Sequence, residues 1–162
     1  MSSERREALL AELTAETRRY LAAYVLFNQA AAACIGIHPT DLQCLNLLSL
    51  EPEPLTTGQI AELTGLTTGS ATRLVDRLER AGYVTRQRDP HDRRRVFVVL
   101  VPEKGARIAQ FFQDKWRDFA ELRDDLTADE IVLVTRFLRR HRELSRAQVA
   151  TLTDCPKGSA SD

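Results

Sequence analysis

Apolar residues recur along this chain with two different periods, and the switch between them marks its organisation. Over residues 5–34, Leu9, Leu13, Tyr20, Tyr24, Phe27 and Ala31 return at helical spacing, with Glu and Arg opposite them near the start. That period predicts one long helix, ended by Gly36 and Pro39. Thr40, with Gln43 three residues on, has capping-box spacing and predicts the next helix start. Leu42, Leu45, Leu47 and Leu48 give that helix a buried side, and Glu51-Pro52-Glu53-Pro54 reads as a loop. Thr56-Thr57-Gly58-Gln59 repeats the cap pattern ahead of Ile60, Ala61 and Leu63, a short helix closed by Gly65.

The next helix is predicted from Thr68 to about Ala81. Thr67 is its N-cap candidate, with Ser70 three residues on, Ala71, Leu74, Val75 and Leu78 form its buried face, and Gly82 stops it. Beyond Gly82 the period falls to that of strands. Tyr83-Val84-Thr85-Arg86-Gln87-Arg88 and Val96-Phe97-Val98-Val99-Leu100-Val101 are β-prone runs around the polar tip Asp89-Pro90-His91-Asp92-Arg93-Arg94-Arg95. Pro102 and Gly105 precede a second long helix carrying Ile108, Phe112, Trp116 or Lys115, Phe119 and Leu122. Thr127 and Glu130, at capping-box spacing, restart it as a last helix bearing Ile131, Val134, Phe137, Leu138, His141 and Leu144. From Thr153 onward small polar residues predict a frayed end. The fold class expected is mainly α with a small β-hairpin wing.

A short helix, a glycine turn, a second helix and a hairpin form a winged helix-turn-helix. On the second helix Gly69, Ser70, Thr72, Arg73, Asp76, Arg77 and Arg80 are left outside the buried face. Hydroxyls, a glycine and guanidinium groups at the N-terminal half suit a helix entering the DNA major groove. The free N–H groups near Thr67 and Thr68 favour a phosphate, and Gly69 leaves room for one. In the wing, Arg93, Arg94 and Arg95 follow Asp92 in a loop that cannot hide their charge, and Arg94 is the arginine best placed for a groove. Arg86 and Arg88 lie on the strand, nearer the phosphates or the wing aspartates, and Asp89 or Asp92 is expected to brace the loop rather than touch DNA.

Composition adds little until it is localised. The 162 residues carry 23 Lys+Arg and 23 Asp+Glu, so the formal net charge is zero. Between Arg73 and Arg95, however, eight arginines face four acids, whereas between Asp114 and Glu130 seven acids face three bases. A basic face on a neutral molecule is the electrostatic footprint of a nucleic-acid binder.

The stretch Gly65-Leu66-Thr67-Thr68-Gly69-Ser70-Ala71-Thr72-Arg73-Leu74-Val75-Asp76-Arg77-Leu78-Glu79-Arg80-Ala81-Gly82-Tyr83-Val84 resembles the DNA-binding core of the MarR family of bacterial transcription regulators. Arg86, Asp89, Asp92 and Arg94 resemble that family's wing signature. The likeness spans about residues 10–150. It departs at Val101-Pro102-Glu103-Lys104-Gly105, where the family more often has Leu-Thr before the glycine. The resemblance implies a cytoplasmic homodimeric repressor on a pseudo-palindromic operator of double-stranded DNA, released by an aromatic or phenolic effector. Residues 1–38 and 103–152 then form the helical dimerisation region, 39–102 the DNA-binding domain and 153–162 a flexible tail. The DNA contacts expected are Thr67, Thr68, Gly69, Ser70, Thr72, Arg73 and Arg77 on the helix, with Arg86, Arg88, Asp92, Arg93, Arg94 and Arg95 in the wing. Phe27, His38 and Cys44 are the candidate effector contacts.

Other classes find less support. His38, His91 and His141 are scattered, without a nucleophile elbow or phosphate loop, so no enzyme is expected. Cys34, His38, Asp41 and Cys44 lack a zinc spacing, and no metal or other cofactor is expected. The start lacks a signal-peptide pattern, no uncharged apolar run is long enough for a membrane span, and three cysteines without CxxC spacing suggest a reduced compartment. The alternatives are a winged-helix protein-interaction module and a redox-sensing regulator acting through Cys34 or Cys44.

Overall fold

The computed structural model describes residues 2–153, with the side chains at 107, 111, 114–116, 150 and 153 outside the description. In chain order the elements are α1 (Ser3–Ile35), α2 (Pro39–Leu48), β1 (Leu55–Thr56), α3 (Thr57–Thr64), α4 (Thr68–Arg80), β2 (Val84–Arg88), β3 (Val96–Leu100), α5 (Pro102–Asp124) and α6 (Ala128–Thr153). The fold is mainly helical, as expected, but the wing belongs to a three-stranded antiparallel sheet of order β1-β3-β2. Leu55 and Thr56 pair with Val98 and Phe97, making β3 the central strand. Its unbroken apolar run does not report burial on both faces, since of Val96–Leu100 only Val98 is buried and Val96 is exposed.

Helix ends follow their side chains. The Thr56 hydroxyl accepts from the Gln59 N–H while the Gln59 side chain accepts from the Thr56 N–H, a complete capping box. Thr67 caps α4 by accepting from the Ser70 N–H at 3.2 Å. Thr127 and Glu130 close the third such cap. Helix α2 starts earlier than its Thr40 signal suggests. Pro39 takes the first helical position, where its fixed φ and missing N–H are harmless, and the His38 ring Nδ1 accepts from the Thr40 N–H at 3.2 Å. In α5 the helix likewise begins at Pro102, so Gly105 lies inside it rather than before it. Gly65 and Gly82 hold φ of 71° and 74°, the left-handed region that L side chains avoid. Gly82 thereby lets the Tyr83 N–H reach back to the Leu78 carbonyl and releases the chain into β2.

The chain divides into two compact units, Met1–Ile108 and Ala109–Asp162. The first holds the core: Cys44, Leu45 and Leu48 from α2, Ile60 from α3, Leu74, Val75 and Leu78 from α4, Val84 from β2 and Val98 from β3. All four residues of the expected buried face of α4 are buried. Much of α1 is not. Leu9, Leu10, Leu13, Tyr20, Leu21, Tyr24, Val25 and Leu26 are exposed, and its buried residues are Ala31 and Ala32. In the second unit every residue of α6 whose burial is described is exposed, Ile131, Val134, Phe137 and Leu138 included. Of the tail expected at 153–162, Thr153 closes α6; the remainder, with Cys155, lies outside the described residues, as do the stripe side chains at 115 and 116. Among the described residues no single helix is long and apolar enough to cross a membrane.

Candidate nucleic-acid interface

The first turn of α4 is an open polar surface. Thr67, Thr68, Gly69, Thr72 and Arg73 are exposed and Ser70 is half-buried. The Thr67 hydroxyl donates to Ser70 Oγ at 3.0 Å, and Arg73 Nη2 donates to the same oxygen at 3.3 Å. Thr72 turns its hydroxyl back to the Thr68 carbonyl. A Cβ at Gly69 would meet nothing within 4 Å, so a ligand backbone can approach the helix there closely. The N–H groups of a helix's first turn have no intrahelical acceptor, which suits this end to a phosphate.

Further along α4 the arginines are engaged. Arg77 grips Asp41 of α2 with both Nε (3.0 Å) and Nη2 (2.5 Å). Asp41 is almost completely buried, whereas the Arg77 side chain is 43% exposed. The hydrogen bond to Asp41 holds the Arg77 guanidinium above its ordinary pKa, against the opposing cost of partial burial. A side chain expected to read bases is thus committed to the protein through two of its three nitrogens.

Arg86 departs from expectation in the same way. It turns from β2 onto α4, where Nη2 meets Asp76 at 2.6 Å and Nη1 meets Glu79; its backbone N–H donates to Glu79 at 3.2 Å. These hydrogen bonds, Asp76 first, hold its guanidinium above the ordinary pKa, against the cost of partial burial. Its carboxylate partners are those of the recognition helix and not the wing aspartates.

The wing aspartates brace the loop. Asp89, buried, accepts from the backbone N–H groups of His91 (2.8 Å) and Asp92 (3.3 Å). Those bonds, the His91 one foremost, and the nearby Arg95 charge hold its carboxyl below the ordinary Asp range. Asp92 accepts from the Arg94 N–H at 3.0 Å. The Asp89 N–H reaches the Arg95 carbonyl and the Arg95 N–H the Asp92 carbonyl, closing the tip. Arg95 lies 3.9 Å from Asp89 and 5.0 Å over the Phe97 ring, which explains its orientation without DNA. Arg73, Arg80, Arg88, Arg93 and Arg94 make no ion pair among the described residues. The charge available to a polyanion is therefore that of five arginines, of which Arg73 hydrogen-bonds the Ser70 hydroxyl and Arg80 the Asp76 carbonyl.

The three residues expected to contact an effector differ in their exposure. Phe27 is half-buried on α1, His38 is the exposed cap of α2, and Cys44 is sealed in the core. Burial, and secondarily the Asp41 charge, push the Cys44 thiol up to about 11. A buried thiol of that basicity is a poor nucleophile, so the structure counts against Cys44 as a redox sensor.

Sequence reading weighed Asp41 only as a metal ligand, missing its pairing with Arg77, and passed over the strand β1. Nothing local marks either one, since the Asp41 partner lies 36 residues away and β1 is two residues long.

The MarR family model matches residues 35–95. The chain is 40% identical over 128 residues to the uncharacterized HTH-type transcriptional regulator YcgE of Bacillus subtilis, covering 79% of this chain and 82% of the relative. It is 30% identical over 106 residues to the HTH-type transcriptional regulator MhqR of the same organism, covering 65% of this chain and 72% of that protein. Among solved structures, a MarR family protein from Bacillus stearothermophilus superposes with a TM-score of 0.61 at 31% identity, covering 90% of this chain and 99% of that one.

Proposed function

The chain belongs to the MarR family of DNA-binding transcription regulators, which are not enzymes, and from that premise we propose that it is a homodimeric repressor of a pseudo-palindromic operator. The observation that carries the reading is the open first turn of α4, with Thr67, Thr68, Gly69, Ser70, Thr72 and Arg73, set beside a braced wing whose Arg93 and Arg94 pair with no carboxylate among the described residues. Arg73 is the base reader and Arg94 the groove contact, with Arg88 and Arg93 supplying phosphate contacts. Arg77, Arg86 and Arg95 contribute by holding the interface together.

The dimer is supported by the apolar side chains left exposed on α1 and on α6, an arrangement a lone chain in water does not sustain over two long helices. Two-fold symmetry then places two recognition helices in major grooves about one helical turn, roughly 34–36 Å, apart. Release by a small aromatic acid needs only a modest difference in its affinity for two dimer geometries. Phe27 and His38, at the junction of α1 and α2, are the contacts retained for it, and Cys44 is not.

The test is a salt titration of binding to the DNA upstream of the protein's own gene. Specific binding whose logarithm falls steeply with log salt supports the regulator. Equal binding to any duplex, or none, overturns it. A reporter driven by that promoter should rise when the protein is removed; a fall would make it an activator.

A further inference from the structure

The buried carboxylate of Asp41 lies outside the surface that faces DNA, yet it is the partner of a recognition-helix arginine. It sits in the first turn of α2, 4% exposed, and both its oxygens are taken by Arg77. The same turn is tied to α1, because the Asn28 side chain donates to the Pro39 carbonyl at 3.1 Å. On the other flank of α4, Arg86 binds Asp76 and Glu79. Helix α4 is therefore held from both sides: the Arg77 fork on the single carboxylate of Asp41 fixes rotation as well as distance, because two parallel bonds define a plane, and Arg86 adds one bond to each of two carboxylates on the other flank.

We propose that Asp41 is a positioning residue for DNA reading: through Arg77 it fixes the rotation of α4 about its own axis, and so the direction in which Gly69, Ser70 and Arg73 face the bases. The 43% exposed Arg77 is then no base reader. Its value lies in its plane and not in its charge. The inference rests on the chain being a sequence-specific DNA-binding regulator.

The sign of one substitution separates this from the simpler view that Asp41 merely restrains a DNA-contacting arginine. Asp41→Asn removes a negative charge and frees Arg77. If Arg77 were a DNA contact, both changes would strengthen binding to every duplex. If Asp41 positions the helix, operator affinity falls at least tenfold while affinity for random duplex is unchanged or slightly raised, so the specificity ratio collapses. Arg77→Lys keeps the charge and loses the fork, and it should lower the ratio similarly without altering the salt slope on random DNA. A removed phosphate contact would instead cut that slope by about one. The double variant Asp41→Asn/Arg77→Lys should be no worse than the more affected single variant, because the two side chains act as a unit.

Binding is measured by fluorescence anisotropy on operator and scrambled duplexes, with circular dichroism to establish folding at the assay temperature. Should Asp41→Asn not fold, Arg77→Lys carries the test alone, since its side chain reaches solvent. Wild-type protein that discriminates the operator, with variants that keep the wild-type ratio or bind more tightly, overturns this inference and leaves the regulator standing. Wild-type protein that binds all duplexes equally overturns both.

Discussion

Replacing Arg86 by Gln should destabilise the protein while costing it no phosphate contact. The Arg86 side chain is 29% exposed and its partners Asp76 and Glu79 are 46% and 37% exposed. Fully exposed ion pairs contribute about 0–1 kcal/mol each. Two contacts made by one partly buried guanidinium should therefore total about 1–2 kcal/mol. The loss does not reach the value for a deeply buried pair, because the released carboxylates rehydrate and Glu79 keeps the Arg86 backbone N–H. For a chain of this size 1 kcal/mol lowers Tm by about 2–4 °C, so a drop of roughly 2–8 °C is expected. Melting curves followed by circular dichroism at fixed protein concentration, in 0.1 and 1 M NaCl, provide the assay; concentration matters because a dimer's Tm depends on it. The difference between variant and wild type should shrink in 1 M salt, where screening acts over about 3 Å. An unchanged Tm, together with a salt slope of DNA binding reduced by about one, would refute the reasoning and return Arg86 to the DNA contacts.

Three further outcomes follow from other parts of the surface and core. Gly69→Ala should stabilise α4 by about 0.5–1 kcal/mol, since a Cβ there meets nothing within 4 Å, yet weaken operator binding in a competition assay; tighter binding would remove Gly69 from the interface. Arg94→Ala should weaken binding to operator and random duplexes alike with Tm unchanged, the wing being held by Asp89 and by backbone bonds, and full affinity would show that Arg94 touches no DNA. Under native conditions iodoacetamide should label exposed Cys34 and spare Cys44 in peptide mass spectrometry. With the Cys44 thiol raised from 9.0 to about 11, the unfolded chain ionises first on the alkaline side. Stability that Cys44 contributes in its neutral form is thus lost as pH rises from about 9 towards 11, and rapid native labelling of Cys44 at pH 8 would contradict its burial.

Most of the architecture is legible in the sequence because its signals are local. The caps at Thr56, Thr67 and Thr127 act over three residues, and the apolar face of α4 is complete within one helix. The misplaced start of α2 is also local: Pro39 competes with Thr40, and a proline's preference for the first helical position wins. What escaped depends on distance along the chain. Strand β1 exists because Val98 and Phe97, more than forty residues on, offer it a ladder. The arginines of the helix and wing look alike in sequence, yet Asp41 claims one, Asp76 and Glu79 another, and Asp89 a third. Charge counting recognises the basic face; the arginines that remain for DNA emerge only from the pairing.

The most direct test of the central claim is selection of bound sequences from a random duplex library by the full-length protein. The account predicts enrichment of inverted half-sites whose centres lie about 10–10.5 base pairs apart, the spacing of two major grooves on one face. Absence of enrichment, or enrichment of single half-sites without an inverted partner, would contradict it.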